Sequence, residues 1–227
     1  MRLSESFLKS LLIVSPVWLF SVLQWVLGQN WARLGIFPRS FLGAVGILTA
    51  PLVHGDLFHL LSNTLPLLIL CTAMFMFYPR ESRHVLITAY WGTGLSVWLL
   101  GRPSYHIGIS GQVYALASFL FFSGLFRRNR AALTIALCTG LLYGGMLQGI
   151  FPQADAQNVS WESHLLGATV GAWLAWHYRN MAAPLPRILL EHNELLLWSD
   201  LEEGYRPLRN KKMRYVFKPR IKNNKVS

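Results

Sequence analysis

Ser110 lies in the run Gly108-Ile109-Ser110-Gly111 at the head of one membrane-length apolar segment, and His164 lies near the head of another. A hydroxyl and an imidazole at bilayer depth are costly unless they work together, so the pairing points to a nucleophile and its base inside a membrane. At the first turn of a helix, Ser110 would sit beside unpaired backbone N–H groups and the positive end of the helix dipole, both of which favour an oxyanion. Gly111 keeps that backbone approachable. A neutral imidazole at His164 can take the hydroxyl proton and return it to a leaving amine. The plainer readings are a serine N-cap between glycines, since G-x-S-G is a loose pattern, and an interfacial histidine.

The surroundings of the two residues favour their meeting. His164, Gly167 and Gly171 follow one another on one helix face, and Gly111, Ala115 and Ser118 form a matching stripe of small residues. Small residues on facing helices let the backbones approach, although the same stripes would serve ordinary helix packing. Tyr114 stands one turn beyond Ser110 on the same face, where its ring can stack on His164. Glu162 is two residues from His164 and faces away on a helix, so a dyad is expected rather than a triad. His59 and Asn63 share a face near the same end of another apolar segment; with the Ser110 N–H they could donate to a developing oxyanion, or simply join two helices. His54 and Asp56 read as outer-surface or loop-bracing groups, structural rather than catalytic, and His106, in a loop, as noncatalytic.

The elements that must position these groups are membrane spans. The chain has 227 residues, of which 53% are hydrophobic and only 14% charged. That is too apolar for an ordinary soluble domain of this size. Windows of about 20 apolar residues, enough to cross a bilayer, fall at roughly 7–27, 58–78, 84–101, 110–126, 131–150 and 161–178, giving an all-α polytopic protein of six spans. An even number puts both termini on one side. Of 21 Lys and Arg residues, 18 lie on that side and only Arg33, Arg39 and Arg102 lie opposite, so both ends are expected to be cytoplasmic. The net charge of +11 is explained by this topology, and no nucleic-acid partner is expected.

Arg80 and Arg83 after the second span, and Arg127, Arg128 and Arg130 after the fourth, read as topology anchors. Cys71 and Cys138 fall within spans and read as packing residues, with no metal-ligand spacing. The first apolar run is longer than a signal peptide's core and lacks a small-residue exit, so it is read as a retained helix. Residues 28–57, with Pro38 and Pro51, are read as a loop half-submerged in the interface. Residues 151–160 are read as a polar outer loop suited to a gate. Composition changes at residue 181: after Glu203 there are nine basic and no acidic residues. The tail, residues 181–227, is therefore expected to be cytoplasmic and to contact anionic lipid, as an interfacial segment, a hairpin or a disordered arm.

Taken together, Gly108–Gly111 continued by Gln112-Val113-Tyr114-Ala115-Leu116, the run His164-Leu165-Leu166-Gly167 to Gly171, and His54 with His59 and Asn63 resemble the rhomboid intramembrane serine proteases over roughly residues 7–180. The resemblance implies a rhomboid-like six-helix membrane domain over residues 1–180, with a water-filled cavity open to the outer side. In it Ser110 attacks, His164 is the base, Asn63, His59 and the Ser110 N–H hold the oxyanion, and Tyr114 braces the histidine. It also implies single-span membrane proteins as substrates, cut in or near their transmembrane helix, and neither metal nor organic cofactor. The chain departs from the family's adjacent Trp-Arg pair, having Trp31-Ala32-Arg33, and the basic tail has no clear counterpart.

Two other readings compete. A noncatalytic rhomboid-like protein would bind membrane clients with the same bundle, but members that have lost catalysis lack the serine or the histidine. A small transporter would need ionisable residues near mid-bilayer, where these spans carry almost none. The expected location is a multi-pass membrane protein, of the plasma (inner) membrane if the host is bacterial.

Overall fold

A computed structural model describes residues 3–128, 130–152 and 160–181. The expectations for the basic tail, and for most of the proposed gate, lie outside the described residues. Eight α-helices are seen among them: α1 (Leu3–Val26), α2 (Phe41–Ala44), α3 (Gly46–Thr49), α4 (Leu57–Phe77), α5 (Ser82–Leu100), α6 (Ser110–Arg127), α7 (Arg130–Tyr143) and α8 (Trp161–His177). The described residues contain no strand, only a two-residue antiparallel bridge between Ile36 and His106.

Each long helix covers one of the apolar windows. Three segments are long and apolar enough to cross a membrane: Leu3–Val26, Leu57–Phe77 and Arg130–Ile150. The remaining three helices are shorter or more polar because they carry inward-facing small and polar residues. α6 buries Ser110, Gly111, Gln112, Ser118, Ser123 and Gly124. It lies against α4, α5, α7 and α8. A helix enclosed by protein has less need of a lipid-facing apolar surface than one on the outside.

Close approach of α6 and α8 follows from the small residues of both. A Cβ at Gly167 would strike the Gly111 carbonyl, and one at Gly171 would strike the Ala115 carbonyl. Ser118 Oγ donates to the Ala168 carbonyl at 2.6 Å, tying the helices a turn further on. On the other side, Trp18 Nε1 donates to Thr64 Oγ1 at 3.0 Å and joins α1 to α4.

Arg127, read as a topology anchor, is also buried: its side chain is 2% exposed, its Nη2 lies 3.0 Å from Glu81 Oε1, and its guanidinium stacks over the Tyr78 ring. A cation at that depth needs a paired anion, so the turns after α4 and α6 are clamped together. The reading of both cysteines as packing residues is corrected for one of them: Cys71 is buried in the core, but Cys138 is exposed on α7, outside the buried stripe of Ala132, Ile135, Ala136 and Thr139.

The connection 28–57 folds into short helical turns whose polar groups are satisfied locally. Ser40 caps α2 by accepting from the Gly43 N–H. Arg39 reaches across to donate to the carbonyls of Leu99 and Gly101 at 3.0 and 2.9 Å, which satisfies the C-terminal end of α5. Phe41 and Leu42 project outward, 91% and 81% exposed.

Candidate active site

The backbone before Ser110 is shaped by Gly108, whose φ of +97° suits glycine alone. A Cβ there would also stand 2.8 Å from the His59 ring. The next residue, Ile109, is the N-cap of α6 and Ser110 is its first helical residue. Ser110 is therefore not the cap, and its hydroxyl is turned sideways toward α8. Ser110 Oγ lies 2.8 Å from His164 Nε2, with both residues 8% exposed.

The other face of the imidazole settles the direction of this bond. His164 Nδ1 lies 2.9 Å from the carbonyl of Gly149, which can only accept. Nδ1 therefore carries the proton, and in the neutral ring Nε2 is left as an acceptor for the Ser110 hydroxyl. This is the tautomer in which a histidine serves as a general base toward a serine. The orienting role that a carboxylate would play falls to a backbone oxygen. Glu162 turns instead to Arg102, with 3.4 Å between Oε1 and Nε.

Tyr114 stacks on His164 with ring centroids 4.2 Å apart and planes 7° from parallel. Its hydroxyl donates to the Met146 carbonyl at 2.8 Å. Met146 and Gly149 both belong to a 3₁₀ segment, Gly144–Ile150, that continues α7, so one stretch of backbone holds the tyrosine and the histidine together. A single span over residues 131–150, as the sequence suggests, does not by itself foresee this. Its signal was the cluster Gly144, Gly145 and Gly149, which favours a break from regular helix.

Of the other anticipated residues, His59 is placed against Gly108, while Asn63 Nδ2 donates to the His59 carbonyl of its own helix at 2.9 Å. That leaves one amide hydrogen of Asn63 for another acceptor. His54 accepts from the Ile109 N–H at 3.4 Å, and Gln24 Nε2 donates to its carbonyl at 3.1 Å. Burial, and then the neighbouring His59, push its pKa down to about 4, so it stays neutral and able to accept near neutral pH.

His106 is more integrated than a loop residue need be. Its Nδ1 lies 2.6 Å from Ser160 Oγ, its Nε2 lies 3.0 Å from the Arg102 carbonyl, and its backbone bridges to Ile36 in both directions at 2.9 Å. Ser160 is also the N-cap of α8, accepting from the Ser163 N–H. The loop that delivers Ser110 is thereby fastened to the start of the helix that delivers His164. Beside Gly111, Gln112 and Ser163 lies a cavity of about 30 Å³, enough for a water molecule.

These features define an all-helical protein that buries a serine hydroxyl against a correctly protonated imidazole between two closely packed helices. The chain belongs to the rhomboid family: the family model described as Rhomboid domain matches residues 42–181. With its three long apolar helices, that makes it a membrane protein. It is 35% identical over 175 residues to the uncharacterized protein Rv1337 of Mycobacterium tuberculosis, covering 73% of this chain and 72% of that one. It is 37% identical over 140 residues to the uncharacterized protein ML1171 of Mycobacterium leprae, covering 58% and 55% of the two chains.

Proposed function

We propose that this protein is an intramembrane serine endopeptidase that cleaves transmembrane or juxtamembrane segments of membrane proteins. The observation that carries the reading is the 2.8 Å contact between Ser110 Oγ and His164 Nε2, with the Nδ1 proton fixed on Gly149. Membership of a family of intramembrane serine proteases supports it.

In this reading Ser110 Oγ attacks the scissile carbonyl carbon as its proton passes to His164 Nε2. The oxyanion is held by the Ser110 N–H at the head of α6, with His59 and Asn63 as further donors. His164 then protonates the leaving amine. Water adds to the acyl-enzyme, gives a proton to His164, and the acid product departs with Ser110 restored. A helical substrate must unwind first, because its amides are hydrogen-bonded and shielded.

The architecture proposed with it is a membrane domain over residues 1–180 in which α1, α4, α5, α6, α7 with its 3₁₀ continuation, and α8 all cross the bilayer. Both termini lie on the cytoplasmic side, followed by a basic tail from residue 181 that contacts anionic lipid. In a bacterial host the location is the plasma (inner) membrane. The test is cleavage of a model single-span substrate by purified protein, together with fluorophosphonate labelling. Wild type cleaves and is labelled at Ser110, whereas Ser110→Ala does neither while remaining folded. Equal cleavage by that variant refutes the proposal.

A further inference from the structure

A groove of about 680 Å³ runs between α1 and α5, on the opposite side of α5 from α8. Its volume falls within the range of about 300–1,000 Å³ usual for small-molecule sites. Lys9 and Arg83 stand at one end. Ile13, Val17 and Ile87 line the length, and Ile109, the residue before Ser110, lies at the other end. Along α5 the lining extends from Arg83 to Trp91, and along α1 from Lys9 to Val17. Each stretch is about 12 Å at 1.5 Å per residue, close to half of the roughly 30 Å hydrocarbon core of a bilayer.

The charge is as one-sided as the shape. The lining includes no acidic residue. Glu81, the nearest acid in the α5 turn, is committed to Arg127, and Glu5, one helical turn before Lys9 on α1, stands outside the lining. Ser82 and Arg83 are the first residues of α5, so the positive end of a 19-residue helix adds to the two cations. An anionic head beside Lys9 and Arg83 with an apolar chain lying toward Ile109 matches both features.

We propose that this groove binds one anionic phospholipid, from the leaflet on the side of Lys9 and Arg83, with the phosphate at these two residues and an acyl chain between α1 and α5. This site is independent of the proteolytic reading and needs only membrane residence. The bound chain ends against the residue that N-caps α6, so the lipid props the segment leading into Ser110.

The experiment is native mass spectrometry of the purified full-length protein titrated with phosphatidylglycerol or phosphatidylcholine. One phosphatidylglycerol is retained in preference to phosphatidylcholine. Each cation near anionic lipid is worth about five-fold in affinity, so Lys9→Gln with Arg83→Gln weakens retention by roughly 30-fold. Arg80→Gln, exposed in the same turn but outside the lining, leaves retention unchanged. Ile87→Trp fills the groove and expels the lipid with both charges in place. Should the double variant fail to fold, Ile87→Trp and the lipid comparison in wild type still decide. Equal retention of the two lipids overturns the proposal, as does an Arg80→Gln loss matching that of the pair. Retention that survives Ile87→Trp puts the lipid elsewhere, such as on the basic tail, and likewise overturns it.

Discussion

The imidazole of His164 donates a hydrogen bond from Nδ1–H to the carbonyl of Gly149 across 2.9 Å, and that single bond leaves Nε2 as the acceptor that faces Ser110. A side chain at Gly149 would disturb that bond: a Cβ there would strike the Tyr114 hydroxyl and stand 3.2 Å from His164 Nδ1. Gly149→Ala is therefore expected to displace the ring and lower the rate of fluorophosphonate labelling about 10²-fold, within the range that a positioned base contributes. Labelling within two-fold of wild type would show that the ring is held by other means.

Tyr114 makes two contacts that substitution can separate. Tyr114→Phe keeps the stack on His164 and loses only the bond to the Met146 carbonyl, a loss of about 0.5–1.5 kcal/mol. Tyr114→Ala loses both. Cleavage rates should fall by a few-fold in the first variant and by at least ten times more in the second. Equal rates in the two would remove the stack from the account.

Gly171 sets how closely α8 lies against α6. Adding a methyl group there forces the backbones apart, and overpacking of this kind costs about 1–3 kcal/mol. Gly171→Ala should lower the thermal midpoint in detergent. Gly144→Ala, where a Cβ meets nothing within 4 Å, should not. If the two variants melt alike, the α6–α8 contact is not a main source of stability.

Acid should weaken the fold through His54. Its folded pKa is near 4 against 6.5 for the free side chain, so the unfolded chain binds the extra proton between these values. Stability is then unaffected above about pH 6.5, falls as pH drops toward 4, and levels off below that. The full loss is roughly 3 kcal/mol. His106, whose pKa is also lowered by burial, contributes with the same sign. Thermal midpoints measured from pH 7 to pH 4 should slope less steeply in His54→Gln than in wild type. Parallel slopes would remove His54 from the acid response.

Helix positions were legible from the sequence because apolar runs of bilayer length admit few other structures, and all six windows hold a helix. Ser110 and His164 were legible as neighbours because each sits at the head of such a run with small residues beneath it. Less legible were features that depend on which residues meet across elements. The pairing of Arg127 with Glu81 joins turns 46 residues apart, and a row of arginines looks the same whether one is buried or not. The fastening role of His106 was hidden because its partner, Ser160, lies 54 positions away. The 3₁₀ stretch at residues 144–150 was hidden inside an apolar window, where glycines mark a break without saying what the freed carbonyls will do.

That stretch has no buried residue of its own, yet its oxygens anchor both the Tyr114 hydroxyl and the His164 ring. A segment without a buried residue is thus mechanically interlocked with the most reactive part of the bundle. Whatever bends residues 144–150 away from α8 withdraws both supports at once. Readiness for chemistry at Ser110 is accordingly reported by the posture of a peripheral strap, and spin labels or fluorophores placed there would sense it without touching the serine.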